Sequence, residues 1–481
     1  MKIAFLTLGC KLNYAETSTY ERGFKAAGLE VVPWNEKADI YLVNTCSVTA
    51  VSDRKSRNLV RRVHRVNPEA MVVVTGCSAE LRRGEIEGIE GVTRVFGANE
   101  KTLVVPETLK AAGLAADGAD GGCISADGAG GGCISTAGSV GDGCRERVCS
   151  GFAAGGSSTA QSCREFAIRD AESGSAEVAA AAGHASAGAG AVFAAYSTGE
   201  RTRSFLKVQD GCDNFCAYCT VPYARGRSRN VPIAECVENA RKIAAEGVKE
   251  IVLTGVNTGD FGRTTGESFL ELLQALDAVP GIGRYRISSI EPNLITEEII
   301  DWIASGTKFQ PHFHIPLQTG SDELLRRMGR KYDTALFAWK LEYIRRSMET
   351  PGSPKVFFGI DLMTGLPGET EGLFLESLGF LEKIRPAFIH VFPYSRRPGT
   401  PAASMPGQVP EAEKHRRVAA IEELCARLHT EFIEANRGVR EKVLFESTDR
   451  GGLMEGYTGN YIRVSRPYDP ELVGKLVEVV L

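Results

Sequence analysis

Short apolar runs separated by amphipathic stretches recur along most of this chain. Three open it, at residues 3–8, 40–43 and 71–74. Each has the length of a buried strand, and helical-period segments lie between them. Strand and helix in alternation predict a parallel α/β sheet over residues 1–112. Six further runs follow, at 205–208, 250–253, 285–288, 313–317, 356–363 and 388–394, with patterns such as ECVENARKIAAEG and TALFAWKLEYIRRSME between most of them. Six βα units over residues 199–432 predict a barrel short of the eight-unit form. From 437 to 481 the period changes to two: EKVLFEST, GYTGNYIRVSR and LVGKLVEVVL alternate between Gly-Gly and Arg-Pro turns, as a small antiparallel barrel would. Between 113 and 198 periodicity disappears. Ala, Gly and Ser dominate there and GGCIS occurs twice, a composition unable to offset its ordering entropy. That stretch is expected to be a flexible insertion, and its irregularly spaced Cys123, Cys133, Cys144, Cys149 and Cys163 are not expected to be ligands.

Composition changes this picture little. The 481 residues carry 56 Lys and Arg against 60 Asp and Glu, a net charge of −4. Any nucleic-acid partner must therefore be met by local basic patches. No stretch is apolar for long enough to span a membrane, and MKIAFLTLGC lacks the apolar core of a signal peptide. With 13 cysteines and no leader, the expectation is a cytoplasmic chain whose thiols serve metal or catalysis.

The cysteines carry the chemistry. Cys212, Cys216 and Cys219 form CxxxCxxC just after the first strand of the barrel, with Tyr218 before the last. Four thiolates would close a 4Fe-4S cubane, so three leave one iron open. A zinc site would need a fourth Cys or His in a second nearby pair, and none follows. In the first domain each apolar run ends at a cysteine: Cys10 in TLGCKLN, Cys46 in VNTCSVT and Cys77 in VTGCSAE. Strand C-termini of a parallel sheet lie along one edge, so these three can converge into a second open site. Loops after later strands hold Gly255, Asn257, Gln318 and Asp361, together with Glu291 and Ser321. Basic residues fall in three groups. Arg54, Arg57, Arg61 and Arg65 recur at helical spacing beside Lys55 and Arg62. Arg225, Arg227 and Arg229 follow the CxxxCxxC motif, and Arg326, Arg327, Arg330 and Lys331 come later. Near a common cavity such groups favour RNA.

Taken together, TLGCKLNYAET, VNTCSVT, VTGC, GCDNFCAYCTVPYARGRSR, IVLTGVNTG, HIPLQTGSD, GLPGET and PYSRRPGTPAA resemble the radical S-adenosylmethionine (SAM) methylthiotransferases. The resemblance covers nearly the whole chain outside the insertion. LGCKLN, DRKSR, RISSIEP and MGRKYDT point to the MtaB type, which acts on threonylcarbamoyladenosine in tRNA. It implies a partial radical SAM barrel flanked by the α/β domain and an RNA-binding TRAM-like domain. It also implies two 4Fe-4S clusters, on Cys212, Cys216 and Cys219 and on Cys10, Cys46 and Cys77. SAM would be both radical source and methyl donor, held in part by Gly255, Asn257, Gln318 and Asp361. The substrate would be N6-threonylcarbamoyladenosine at position 37 of tRNA, methylthiolated at carbon 2. RNA contacts would come from Arg54, Arg57, Arg61, Arg65, Arg225, Arg227, Tyr461 and Arg463. A flavodoxin-like or ferredoxin-like protein would supply electrons. The alternatives are the same chemistry on isopentenyladenosine or a ribosomal protein, and a non-catalytic cluster protein that binds RNA.

Overall fold

The computed structural model describes residues 1–114, 192–198, 202–449 and 451–481. Most of the glycine-rich stretch, with its five cysteines, lies outside them. The first domain is a five-stranded parallel sheet: β1 (Lys2–Thr7), β2 (Glu30–Val31), β3 (Ile40–Thr45), β4 (Met71–Gly76) and β5 (Val92–Val95), in the order β2-β1-β3-β4-β5. The central β3 is buried from end to end, which is why it reads as an unbroken apolar run. Helices α1 (Lys11–Ala26), α2 (Ala50–Val66), α3 (Cys77–Leu81), α4 (Arg83–Glu87) and α5 (Val104–Ala111) complete the domain.

The chain re-enters the core earlier than its composition suggests. Residues 192–198, read above as the tail of the insertion, are packed. Phe193 stacks on Tyr20, with ring centroids 5.5 Å apart, and β6 (Ala195–Tyr196) pairs antiparallel with β7 (Arg203–Lys207). VFAAY is too short to show a period, so only its partners reveal it as a strand.

A short ribbon of β8 (Gln209–Asp210) and β9 (Arg229–Asn230) brackets the CxxxCxxC loop and α6 (Val221–Arg225). The half-barrel continues with β10 (Glu250–Thr254), β11 (Arg284–Ile287), β12 (His312–Gln318), β13 (Phe357–Thr364) and β14 (Phe388–Pro393). Its strands form two hydrogen-bonded groups, β11-β10-β7-β6 and β12-β13-β14, with a lone bridge between Tyr285 and Phe309 at the seam. Leu206, Ile251, Leu253 and Ile287 face the outer helices in the largest apolar core. Alternation then turns Arg203, Phe205, Glu250, Arg286, His314 and Asp361 to the inner face. Helix α1 covers part of that face: its Ala15 packs with Phe205 and Val252. The last domain is an antiparallel sheet, β17-β16-β15-β18, from β15 (Arg440–Asp449), β16 (Leu453–Tyr457), β17 (Arg463–Pro467) and β18 (Leu476–Val480).

Candidate site of two thiol trios

Because β1, β3 and β4 are neighbours and parallel, their C-terminal ends bring three cysteines together. Cys10 is the N-cap of α1, Cys46 follows β3, and Cys77 begins α3. Two glycines make the approach possible. Gly9 has a φ of +102°, and a Cβ on it would lie 2.7 Å from Cys46 Sγ. Gly76, at +98°, would bring a Cβ to 2.4 Å from the Thr45 carbonyl. Both need the freedom of glycine and the absence of a side chain. The three thiols feel one another. Burial pushes Cys46 up to about 12, with Cys10 and Cys77 adding to the rise. Burial also raises Cys77, while Arg225 and Lys101 oppose it.

The second trio is wound into the loop after β8. Backbone N–H groups of Asn214 and Val221 donate to the sulfurs of Cys212 and Cys219, each at 3.4 Å. Arg330 donates to Cys216 Sγ at 3.1 Å and to the Tyr218 hydroxyl at 3.2 Å, and is clamped by both oxygens of Glu291 at 2.6 and 2.7 Å. Burial lifts Cys212 to about 11 and Cys219 to about 12. Thiols so placed give up their protons when a metal charge replaces them.

Among the described residues no three Cys, His, Asp or Glu side chains gather so as to hold a single metal ion. Each trio nonetheless lies within mutual electrostatic reach. Three thiols that share a site suit a cluster with a separate iron for each. Donors aimed at the sulfurs are the environment iron–sulfur clusters use. The residues therefore fit two clusters.

The trios are joined. Helix α3, which begins at Cys77, packs on α6, which follows Cys219. Arg225 at the end of α6 donates to Asn13 Oδ1 at 2.5 Å, Glu16 Oε1 at 3.0 Å and Asp210 Oδ1 at 2.9 Å. Lys101 and Lys207 bond the same two carboxylates, at 2.6 to 3.3 Å. All five charged groups are buried. Burial works against the charge on Arg225, but Cys77, Glu16 and Asp210 more than offset it. Burial likewise favours a neutral Asp210, and Lys101, Lys207 and Arg225 hold it well below the usual carboxylate range. A second tie runs through residues 395–402. Ser395 Oγ accepts from the Ala50 N–H at 3.1 Å, Arg397 donates to Ser47 Oγ at 2.9 Å, and the Ala402 N–H reaches the Ala217 carbonyl at 2.8 Å.

The remaining expected site residues divide. A Cβ on Gly255 would meet Gln209 Oε1 at 2.9 Å, and that oxygen accepts from the Asn257 N–H at 3.0 Å. Asn257 is buried and accepts from the Glu291 N–H at 3.2 Å, which places both beside the Arg330 clamp. Gln318, at a φ of +69°, ends β12. Asp361 sits inside β13, with its Oδ2 3.0 Å from His314 Nε2. Arg54, Arg61 and Arg65 are exposed on α2, and the partly buried Arg57 pairs with Glu85 at 3.3 Å. Arg227 is exposed, lies 3.3 Å from Asp213 and stacks on Phe215. Arg463 is exposed and pairs with Glu455 at 2.9 Å.

Two expected RNA contacts are corrected. Arg225 lies in the buried network and is closed to a phosphate. Tyr461 is only partly exposed and its ring and hydroxyl are already engaged: it stacks on Tyr457 at 4.9 Å, packs against His312 and accepts from Arg203. Arg330, grouped above with a basic run, is withdrawn as well, since its guanidinium serves Cys216 and Glu291. What distinguishes these arginines is the carboxylate each meets, far away in sequence.

Residues 2–97 match the model of an uncharacterized protein family, UPF0004, and residues 206–381 that of the radical SAM superfamily. The threonylcarbamoyladenosine tRNA methylthiotransferase MtaB of Bacillus subtilis is 33% identical over 99% of this chain and 93% of its own length. Its namesake from Aquifex aeolicus is 32% identical over the full length of both. The chain belongs to the methylthiotransferase family. A tRNA-2-methylthio-N(6)-dimethylallyladenosine synthase of Nitratidesulfovibrio vulgaris is 28% identical over 99% of the chain and 94% of its own length. Among solved structures, the radical SAM methyltransferase TsrM of Kitasatospora setae shares the fold, with a TM-score of 0.51 at 14% identity over 84% of this chain and 77% of that one.

Proposed function

We propose that this methylthiotransferase acts on tRNA, replacing the hydrogen at carbon 2 of N6-threonylcarbamoyladenosine, at position 37, with a methylthio group. The observation that carries the reading is the packing of α3 on α6, which sets two three-thiol sites side by side. Full-length similarity to enzymes named for this substrate supports the subtype. Cys212, Cys216 and Cys219 would hold the SAM-binding cluster, and Cys10, Cys46 and Cys77 the second. When bound, these groups supply the radical that attacks an unactivated C–H bond and the sulfur that replaces the hydrogen; protein side chains alone offer neither.

The chain's own part is placement. Arg330 and two backbone N–H groups stabilise the sulfurs of one trio. Arg225 and the network behind it set the other trio against it. Tyr218 precedes Cys219 with its hydroxyl tied to Arg330 and its ring packed against the apolar cluster that holds Leu324, Met328 and Leu366. Exposed Arg54, Lys55, Arg61, Arg62 and Arg65 give α2 a cationic face for tRNA phosphates. Electrons would come from a flavodoxin-like or ferredoxin-like donor in the cytoplasm, and no described helix is long and apolar enough to cross a membrane.

The test is mass spectrometry of nucleosides from tRNA of a strain lacking the activity. Expression of this chain should restore 2-methylthio-threonylcarbamoyladenosine. Appearance of methylthio-isopentenyladenosine alone would refute the subtype, and modification of a ribosomal protein instead would refute the tRNA substrate.

A further inference from the structure

Most cations on the inner face of the half-barrel are committed. Arg203 pairs with Glu446 at 2.6 Å, Arg286 with Glu250 at 2.8 Å, and Lys207 with Glu16 and Asp210. Asp361 is engaged by His314. Lys11 differs. It follows Cys10 directly, in the first turn of α1, and its ammonium lies 5.9 Å from the centre of the Phe205 ring on the inner face of β7. Asp361, Tyr461, Arg203 and Arg286 are within its electrostatic reach. Yet Lys11 is half-buried and makes no hydrogen bond or ion pair with any described residue. An ammonium drawn away from water without a partner is costly, so a position of this kind is kept for an anion that arrives with the ligand.

Adenine itself is neutral. The threonylcarbamoyl substituent carries a carboxylate on N6, and an isopentenyl substituent carries no charge. We propose that Lys11 is a specificity-determining residue whose ammonium binds the carboxylate of the substrate's threonyl group beside the Cys10 site. The proposal rests on the function proposed above and names the group that distinguishes its substrate. The Phe205 ring lies beside the ammonium, and Asp361, 3.0 Å from His314 Nε2, is within its electrostatic reach without forming an ion pair with it. SAM also carries a carboxylate, so the test must separate the two sources.

The experiment uses the reconstituted holoenzyme and two anticodon stem-loop RNAs. One bears N6-threonylcarbamoyladenosine and the other the same nucleoside with its carboxylate masked as the methyl ester. Wild type should prefer the free carboxylate by roughly 10- to 150-fold in kcat/KM, the range for a hydrogen bond to a charged group. Lys11→Met should bring the two RNAs within about threefold of each other, and Lys11→Arg should keep most of the preference. A ratio measured on one enzyme preparation is insensitive to partial loss of a cluster, and iron and sulfide content checks that the Cys10 site still loads. Equal losses on both RNAs, or a raised KM for SAM with the preference intact, would overturn the proposal. So would a wild type indifferent to the ester. A wild type that modifies neither RNA would instead refute the function on which the proposal rests.

Discussion

Glu250 fastens the terminal domain to the half-barrel, and its replacement by Gln is a sharp test of how that joint works. The carboxylate is fully buried at the start of β10. It accepts from Arg284 and, at 2.8 Å, from Arg286, with Arg203 4.0 Å away. These arginines spend their other donors on the last domain. Arg284 reaches the carbonyls of Lys442 and Tyr457 at 3.0 and 2.8 Å, and Arg286 those of Gly459 and Thr458, both at 2.6 Å. Burial alone would raise the pKa of Glu250, but Arg284, Arg286 and Arg203 overcome it and hold the group at about 2, against an ordinary value of 4.5.

At about 1.4 kcal/mol per unit, that depression corresponds to about 3 kcal/mol of stabilisation at neutral pH. Breaking a buried ion pair by removing one partner costs about 3–5 kcal/mol, so the two arguments agree. Glu250→Gln should therefore speed hydrogen exchange in β15–β18 by roughly 100-fold at pH 7, with little change in the first domain. Because the folded pKa is depressed, the stabilisation is fully present above the unfolded value. It fades as pH falls from there toward the folded value of about 2. The gap between variant and wild type should thus be flat from pH 7 to pH 5 and narrow below about 4.5. A change under threefold at pH 7, or a gap that grows on acidification, would refute the joint.

Three further outcomes follow from the site. Changing Cys10, Cys46 and Cys77 to Ala should abolish methylthio transfer and remove about half the iron, while SAM is still cleaved to 5′-deoxyadenosine; the Cys212, Cys216 and Cys219 variant should lose both reactions. Arg225→Met should cost about 3–5 kcal/mol in denaturant unfolding of the linked domains, because Glu16 and Asp210 stay buried beside one cation fewer; a loss below 1 kcal/mol would show that the network does not join them. Arg61→Gln with Arg65→Gln should weaken tRNA binding at low salt and flatten the slope of log affinity against log salt by about 2, as measured by filter binding.

What the sequence shows well is what depends on local pattern. All six barrel runs are strands in the structure to within two residues or so at each end, and the three N-terminal runs are likewise. Each N-terminal run ends at a cysteine, because a buried parallel strand is a continuous apolar run that stops at the sheet edge where ligands bind. What depends on distant partners does not show. Arg225 sits in ARGRSR two residues before the exposed Arg227, and nothing local says that Glu16 and Asp210 wait for it. Tyr461 looks like an aromatic on a small RNA-binding barrel until its left-handed backbone, at a φ of 66°, turns it onto Arg203 and His312. Arg330 carries the same lesson: a run of cations reads as a surface until one of them meets a carboxylate and a thiol. One weak signal was available, since Lys207 and Asp210, three apart in an apolar strand end, are costly unless paired with something.

The choice of ions for the joint between the trios has a physical consequence. An apolar interface of equal size would be as stable or more so, because desolvating five charges consumes most of what their attraction returns. Apolar contacts, however, tolerate sliding, whereas hydrogen bonds from Arg225 to Asn13, Glu16 and Asp210 fix α6 against α1 in direction as well as distance. Under the proposed function the two sites would have to serve one substrate, and such a reaction falls off steeply with small misplacement. The same network also leaves charge to spare. Three cations meet two carboxylates, and the excess lies toward Cys10 and Cys77, where Arg225 already opposes the rise in the Cys77 thiol. Thiolates at Cys10, Cys46 and Cys77, which would otherwise repel one another, thus gain a fixed counter-charge from the helix that follows the other trio. Helix α1 binds these functions into a single element: Cys10 caps it, Lys11 enters the half-barrel, and Asn13 and Glu16 receive Arg225. A substitution that rotates α1 should therefore disturb the Cys10 site, the choice of substrate and the joint between domains together, whereas Lys11→Met, which leaves the helix in place, should disturb only the choice of substrate.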